Sequence, residues 1–225
     1  MEPWHWLEPA IYPTCEPTLN AWVSHPAETV SALGYLLGAI YLRQHFGSFD
    51  RRLPVRYLPN ILFLVGMASI LFHVSNAAVF QVLDVATVAL FTSYLLVATF
   101  IHRKLAQPAQ LPYLFLLFAG TAFVFPFIHI SLGFGITVLQ GCLVCWFWCR
   151  GRRNDSPPPY DRLAILLLLT GALFLAVDHA GIACVSGSAA HIVQPHVIWH
   201  VLSAISAIYF YRAERLLEQH WDHLN

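Results

Sequence analysis

His196 and His200 open the last apolar stretch of this sequence, Gln194-Pro195-His196-Val197-Ile198-Trp199-His200. Four residues apart, they lie one turn from each other on a single helical face. Two neutral imidazoles so spaced can reach the same metal ion. In a segment bound for a bilayer, an ionisable side chain is a functional hypothesis by default. Upstream, Ser69 and His73 repeat the spacing, and Asp84 follows among Val82, Leu83, Val85 and Ala86. A carboxylate in such company must be paired, protonated or close to a cation. Three imidazoles with a fourth position open make a catalytic rather than a structural zinc site. Zinc brings the pKa of a bound water toward about 7. A neighbouring carboxylate can take the proton and later deliver it to a leaving group. A hydroxyl one turn away can support a developing oxyanion. The set His73, His196, His200, Asp84 and Ser69 therefore suits metal-assisted hydrolysis of a carbonyl compound.

The elements that must position these residues are read from hydropathy. Of 225 residues, 58% are hydrophobic and 11% charged, against roughly 25% charged in soluble domains. Mean hydropathy is +0.61 and net charge zero. The chain reads as an integral membrane protein of one domain, residues 1–225, with no sign of a nucleic-acid partner. Nothing points to an obligate protein partner. The first fifteen residues hold no Lys or Arg and no continuous apolar run, so a cleaved signal peptide is not expected. Apolar segments fall at about 28–42, 57–75, 79–101, 111–126, 128–148, 161–178 and 193–212, most near the roughly 20 residues that cross a bilayer. The expected fold is all-α, a seven-transmembrane-helix bundle with an arm at 1–27 and a tail at 213–225.

The twelve Lys and Arg test that count. They are Arg43, Arg51, Arg52, Arg56, Arg103, Lys104, Arg150, Arg152, Arg153, Arg162, Arg212 and Arg215. All fall on one side of a seven-span arrangement. The positive-inside rule then puts the N-terminus outside and the tail in the cytoplasm. His73, Asp84, His196 and His200 come to one depth, near the non-cytoplasmic surface, and a substrate would reach them from the membrane.

At these residues the chain resembles the alkaline ceramidases, within the seven-helix membrane hydrolases that include the adiponectin-type receptors. Ser69 and His73 match the family's Ser-x-x-x-His. Gln81, Leu83 and Asp84 match its Gln-x-Leu-Asp, and His196, Trp199 and His200 match its His-x-x-Trp-His. Cys15-Glu16 and Thr29-Val30-Ser31 match the approach to, and start of, the first helix. The resemblance covers roughly residues 15 to 210. It implies zinc on the three histidines, Asp84 serving the zinc water, Ser69 stabilising the site, and cleavage of the amide of ceramide or a related lipid. It also implies a disulfide between Cys15 and Cys184, on the side where oxidation permits one. The family's calcium site is expected to be lost or rebuilt. His25 stands where the family has Glu, Glu28 where it has Asn, and Pro13, Thr14 and Thr18 replace other contacts. Calcium wants oxygen ligands.

Asp178 and His179 end the sixth segment near the proposed site, as partners that could orient a zinc ligand or as an interfacial helix end. Cys142, Cys145 and Cys149 share a face of the fifth segment and read as small packing residues. His129 lies in the tight fourth-to-fifth connection. Trp4, Trp6, Tyr12 and Trp22 suit an interfacial belt or a lid over the site. Two other functions use the same features. A lipid-responsive receptor would keep the fold with little hydrolysis. A transporter would want polar residues along a whole pore, whereas here they gather at one side.

Overall fold

The computed structural model describes residues 4, 7–45, 57–102, 105–150 and 159–222. Arg51, Arg52, Arg56, Arg103, Lys104, Arg152, Arg153 and Trp6 lie outside the described residues, as do the side chains of Arg150 and Cys149. Seven α-helices run in order: α1 (Pro26–His45), α2 (Leu58–Ser75), α3 (Ala78–His102), α4 (Leu111–Ile128), α5 (Ile130–Arg150), α6 (Pro159–His179) and α7 (Pro195–Asp222). Among the described residues there is no strand, only an isolated antiparallel bridge between Pro9 and Ala77. All the helices except α1 are long and apolar enough to cross a membrane.

Proline is the second residue of α2 (Pro59) and the first of α7 (Pro195), where the missing N–H costs nothing. Asn76 stops α2 in the left-handed region, φ 50°, which asparagine tolerates. The last helix runs ten residues beyond the apolar segment ending at 212, so much of the expected tail is helical to Asp222. Its composition there (Arg212, Glu214, Arg215, Leu216) keeps strong helix formers after the apolar stretch ends.

Helices α1, α2 and α7 pack together, α3 joins α2 to α4 and α5, and α6 rests on α7. The core holds Tyr35, Leu42, Leu62, Tyr94, Leu96 and Tyr211, all buried. Small residues allow the close crossings. A Cβ on Gly66 would come 2.8 Å from Leu36, so α1 and α2 approach there because the position is glycine. A Cβ on Gly171 would meet the Trp199 ring at 3.1 Å, which sets α6 against α7 between the two histidines. Tyr35 and Ser203 share a buried hydrogen bond at 2.6 Å, tying α1 to α7. Among the described residues, helices α5 and α6 have no comparable interface.

The N-terminal arm crosses the ends of these helices. The Gln81 side chain accepts from Ile11 N at 2.8 Å and Tyr12 N at 3.2 Å, and donates to Tyr12 O at 2.7 Å. Ser24 N and His25 N donate to the carbonyls of Val74 and His73, each at 2.9 Å. Cys15 and Cys184 form a disulfide that joins the arm to the connection between α6 and α7. Trp4 stacks edge-on against Trp22. Tyr12 lies against Phe134 of α5 and His179 of α6, so this part of the arm covers the helix ends.

Candidate metal centre

His73 leaves the last turn of α2, while His196 and His200 face it from the first two turns of α7. All three are buried, at 0%, 4% and 1% exposure. Their ring centroids lie 5.0, 5.1 and 4.7 Å apart, and one nitrogen from each falls within 4.8 Å of the others. A buried cluster of this composition could bind a metal ion.

Neighbouring side chains orient two of the rings. Ser31 donates its hydroxyl hydrogen to Glu28 O at 2.9 Å, and its oxygen lies 2.8 Å from His200 Nδ1. The serine must therefore accept from Nδ1–H, which leaves Nε2 the unprotonated nitrogen of the ring. The Asp178 carboxylate does the same for His196, accepting from Nδ1 at 3.0 Å. This carboxylate-to-imidazole contact is the usual support of a metal-bound histidine. Asp178 also accepts from Cys15 N at 3.1 Å, so the disulfide-tethered arm braces a cluster residue. The connection leading into α7 is held by Gln194, which bonds Val185 N and O and Ala190 O.

Ser69 Oγ lies 3.2 Å from His200 Nε2. Asp84 is not one of the clustered metal-ligating side chains. It lines, with His196, a cavity of ≈ 150 Å³. One of its carboxylate oxygens is enclosed without a hydrogen-bond partner among the described residues. The cavity descends from Gln81, Asp84 and His179 past Val88, Val138 and Leu169 to Thr92 and Cys145. From Gln81 to Thr92 is about 16 Å along α3 at 1.5 Å per residue. Its wall is almost wholly apolar, and α5 and α6 flank it with no substantial packing on each other among the described residues.

His179 makes ring contacts with Phe134 at 4.8 Å and Tyr12 at 6.4 Å and lines the cavity, with no hydrogen bond to a cluster histidine among the described residues. Cys142 is exposed and Cys145 half-buried, and both line the same cavity rather than packing in the core. His129 caps the end of α4 and is exposed.

Glu16 does not face a cation cavity. Its carboxylate accepts from Ala27 N at 3.0 Å and Glu28 N at 2.9 Å, closing the start of α1, and lies 3.1 Å from His191 Nδ1. The helix terminus thus occupies the oxygens. Two residues that motif spacing did not assign to the site are Ser31 and Glu28. Ser31 falls inside the matched Thr29-Val30-Ser31. Glu28, 0% exposed in the first turn of α1, places Oε2 2.8 Å from His73 Nδ1, close but not in line for a hydrogen bond. Burial of His25 holds its imidazole neutral, with the pKa pushed down to about 4.

Comparison of the sequence with protein-family models and with curated proteins finds no match.

Proposed function

We propose that the chain is a seven-span membrane zinc amidase that cleaves the amide bond of ceramide or a related long-chain lipid amide. The observation that carries the reading is a cluster of three buried imidazoles, two of them oriented by hydrogen bonds, of which His196 lines one end of an apolar cavity, with Asp84 on the cavity wall and Ser69 beside His200. The N-terminus lies outside and the C-terminus in the cytoplasm, on the distribution of Lys and Arg. A zinc ion on His73, His196 and His200 supplies Lewis acidity toward the amide carbonyl and a water acidic enough to react at neutral pH.

The remaining steps belong to the protein. Asp84 accepts the proton of the attacking water, and the same carboxyl then protonates the leaving amine nitrogen as its bond to carbon breaks. Ser69 donates a hydrogen bond to the carbonyl oxygen as negative charge builds there. The apolar wall from Val88 to Leu169 takes the hydrocarbon chain, and the gap between α5 and α6 lets it slide in from the bilayer. The products are a fatty acid and a sphingoid-type amine.

The test is metal analysis of the purified protein together with fatty-acid release from ceramide, wild type beside His200→Ala. Zinc with turnover in the wild type, and loss of both in the variant, is expected. Zinc without turnover on any lipid amide overturns hydrolysis in favour of a receptor, and a wild type that binds no zinc overturns the metal reading.

A further inference from the structure

The N-terminal arm does not lie flat on the helix ends. Between the arm and the junction of α2 with α3 is a cavity of ≈ 410 Å³, distinct from the one beside Asp84. Hydrogen bonds hold its frame. On one side the arm pairs with the junction: Ala10 N donates to Asn76 O and Ala78 N to Glu8 O, each at 2.9 Å, around the Pro9–Ala77 bridge. On the other, a loop is closed by Leu19 N on Ser24 O at 2.9 Å and tied down by Ser24 N on Val74 O. The Asn76 amide joins the two sides, donating to Thr18 Oγ1 at 3.1 Å. Trp4 is fixed in the lining by its Nε1, which donates to Trp22 O at 3.1 Å, and by the edge-on Trp22 ring. Ser24, Ser75 and Ala77 are the buried part of the lining, at 4%, 5% and 1% exposure. A space of this size between fixed walls has the dimensions of a small-molecule site.

The lining selects the charge of the occupant. Glu8 is the only charged side chain in it, and Trp4, Leu7, Pro9 and Leu19 add aromatic and apolar surface. Residues 1–42 and 57–102, which supply every wall, contain no Lys or Arg, so no basic side chain on these segments answers the carboxylate. An organic ammonium answers both parts of the lining, since it pairs with a carboxylate and is drawn to the face of an indole ring. A hydroxyl beside the ammonium finds an acceptor in Asn76 Oδ1, left over when the amide nitrogen binds Thr18, and a partner in the Ser24 hydroxyl. A phospholipid headgroup fits poorly, because its phosphate would meet Glu8 and no Lys or Arg from these segments.

We propose that this cavity binds the protonated amine of a long-chain 2-amino alcohol, with the ammonium between Glu8 and the Trp4 ring and the hydrocarbon against Leu7 and Leu19. The choice of an amino alcohol rests on the amidase reading, whose amine product belongs to this class; the ammonium site itself does not. Ser75 and Asn76 follow His73 by two and three residues. An amine released at the cluster thus has a resting place close by, clear of the cavity that takes the acyl chain.

The test is calorimetric titration of the full chain in nonionic micelles with 2-aminooctan-1-ol, beside its N-acetyl derivative, which keeps the hydroxyl and the chain but carries no charge. One saturable site per chain is expected for the amine, with the N-acetyl compound at least about tenfold weaker. Glu8→Gln and Trp4→Leu should each weaken the amine by at least about threefold, and the two together by about tenfold. Asp84→Asn, which alters the other cavity, should leave its affinity within about a factor of two of wild type. Glu8 is exposed and Trp4 half-buried, and an unchanged melting temperature checks that the fold persists in their variants. Equal affinity for the amine and its N-acetyl derivative overturns the site, as does the absence of saturable binding. Binding unchanged in the Glu8→Gln, Trp4→Leu double variant also overturns it, and a loss in Asp84→Asn would put the amine in the other cavity. The titration reads no turnover, so a chain that cleaves no amide can still pass it and an active amidase can fail it.

Discussion

Asp178 accepts the Nδ1 proton of His196 at 3.0 Å, and its other oxygen takes the backbone N–H of Cys15 at 3.1 Å. One carboxylate therefore fixes the tautomer of a cluster histidine and is itself fixed by the arm. Replacing Asp178 by Ala should weaken zinc binding by about 10- to 100-fold, the usual cost of losing such a partner. Competition against a chromophoric chelator measures it. Affinity within a factor of two of wild type would show that His196 needs no brace.

Asp84 is not among the clustered imidazoles and Ser69 meets the cluster through His200 Nε2 at 3.2 Å, so as non-ligands their variants should separate metal binding from turnover. Asp84→Asn keeps the shape of the side chain but cannot accept a proton. Zinc content should hold while amide cleavage falls by about 10² to 10⁴. Ser69→Ala should lose about 10² to 10³ at unchanged zinc content. Loss of metal in either variant would move that residue into the ligand set.

The disulfide closes a loop that contains every helix up to α6. Cys15→Ser should lower stability by about 2 to 5 kcal/mol, read as a fall in melting temperature in micelles. Because Cys15 N also holds Asp178, zinc should leave the variant faster than the wild type during dialysis. Unchanged zinc loss in a destabilised variant would separate the tether from the site.

Ala172 faces the cavity from α6 about midway along it. Ala172→Trp should block the deep half and leave the outer half open. Cleavage of long-chain amides should drop at least about tenfold relative to short-chain ones. Equal loss for both lengths would show that the hydrocarbon takes another path.

Much of the helical scaffold was legible in the sequence, because a membrane span announces itself by length and hydropathy. Six spans have that signature, and the segment at 28–42 coincides with α1. The end of α7 was not legible, since a charged helical extension and a charged tail have one composition. His73, His196 and His200 could be singled out because polar residues are conspicuous in apolar segments, and the structure brings them together. Glu28 and Ser31 escaped for the opposite reason. They lie in the first two turns of α1, where an acid and a small hydroxyl are ordinary helix residues, and only the approach of α1 to α2 and α7 gives them another task. Cys142 and Cys145 looked like packing residues, yet the face they share turns to the cavity because α5 does not close on α6.

The cluster draws one imidazole from the second helix and two from the last. A nascent chain leaving the ribosome therefore carries His73 into the membrane long before its partners exist. A metal ion held by all three imidazoles would then be captured only after α7 has been made, as the closing event of biogenesis.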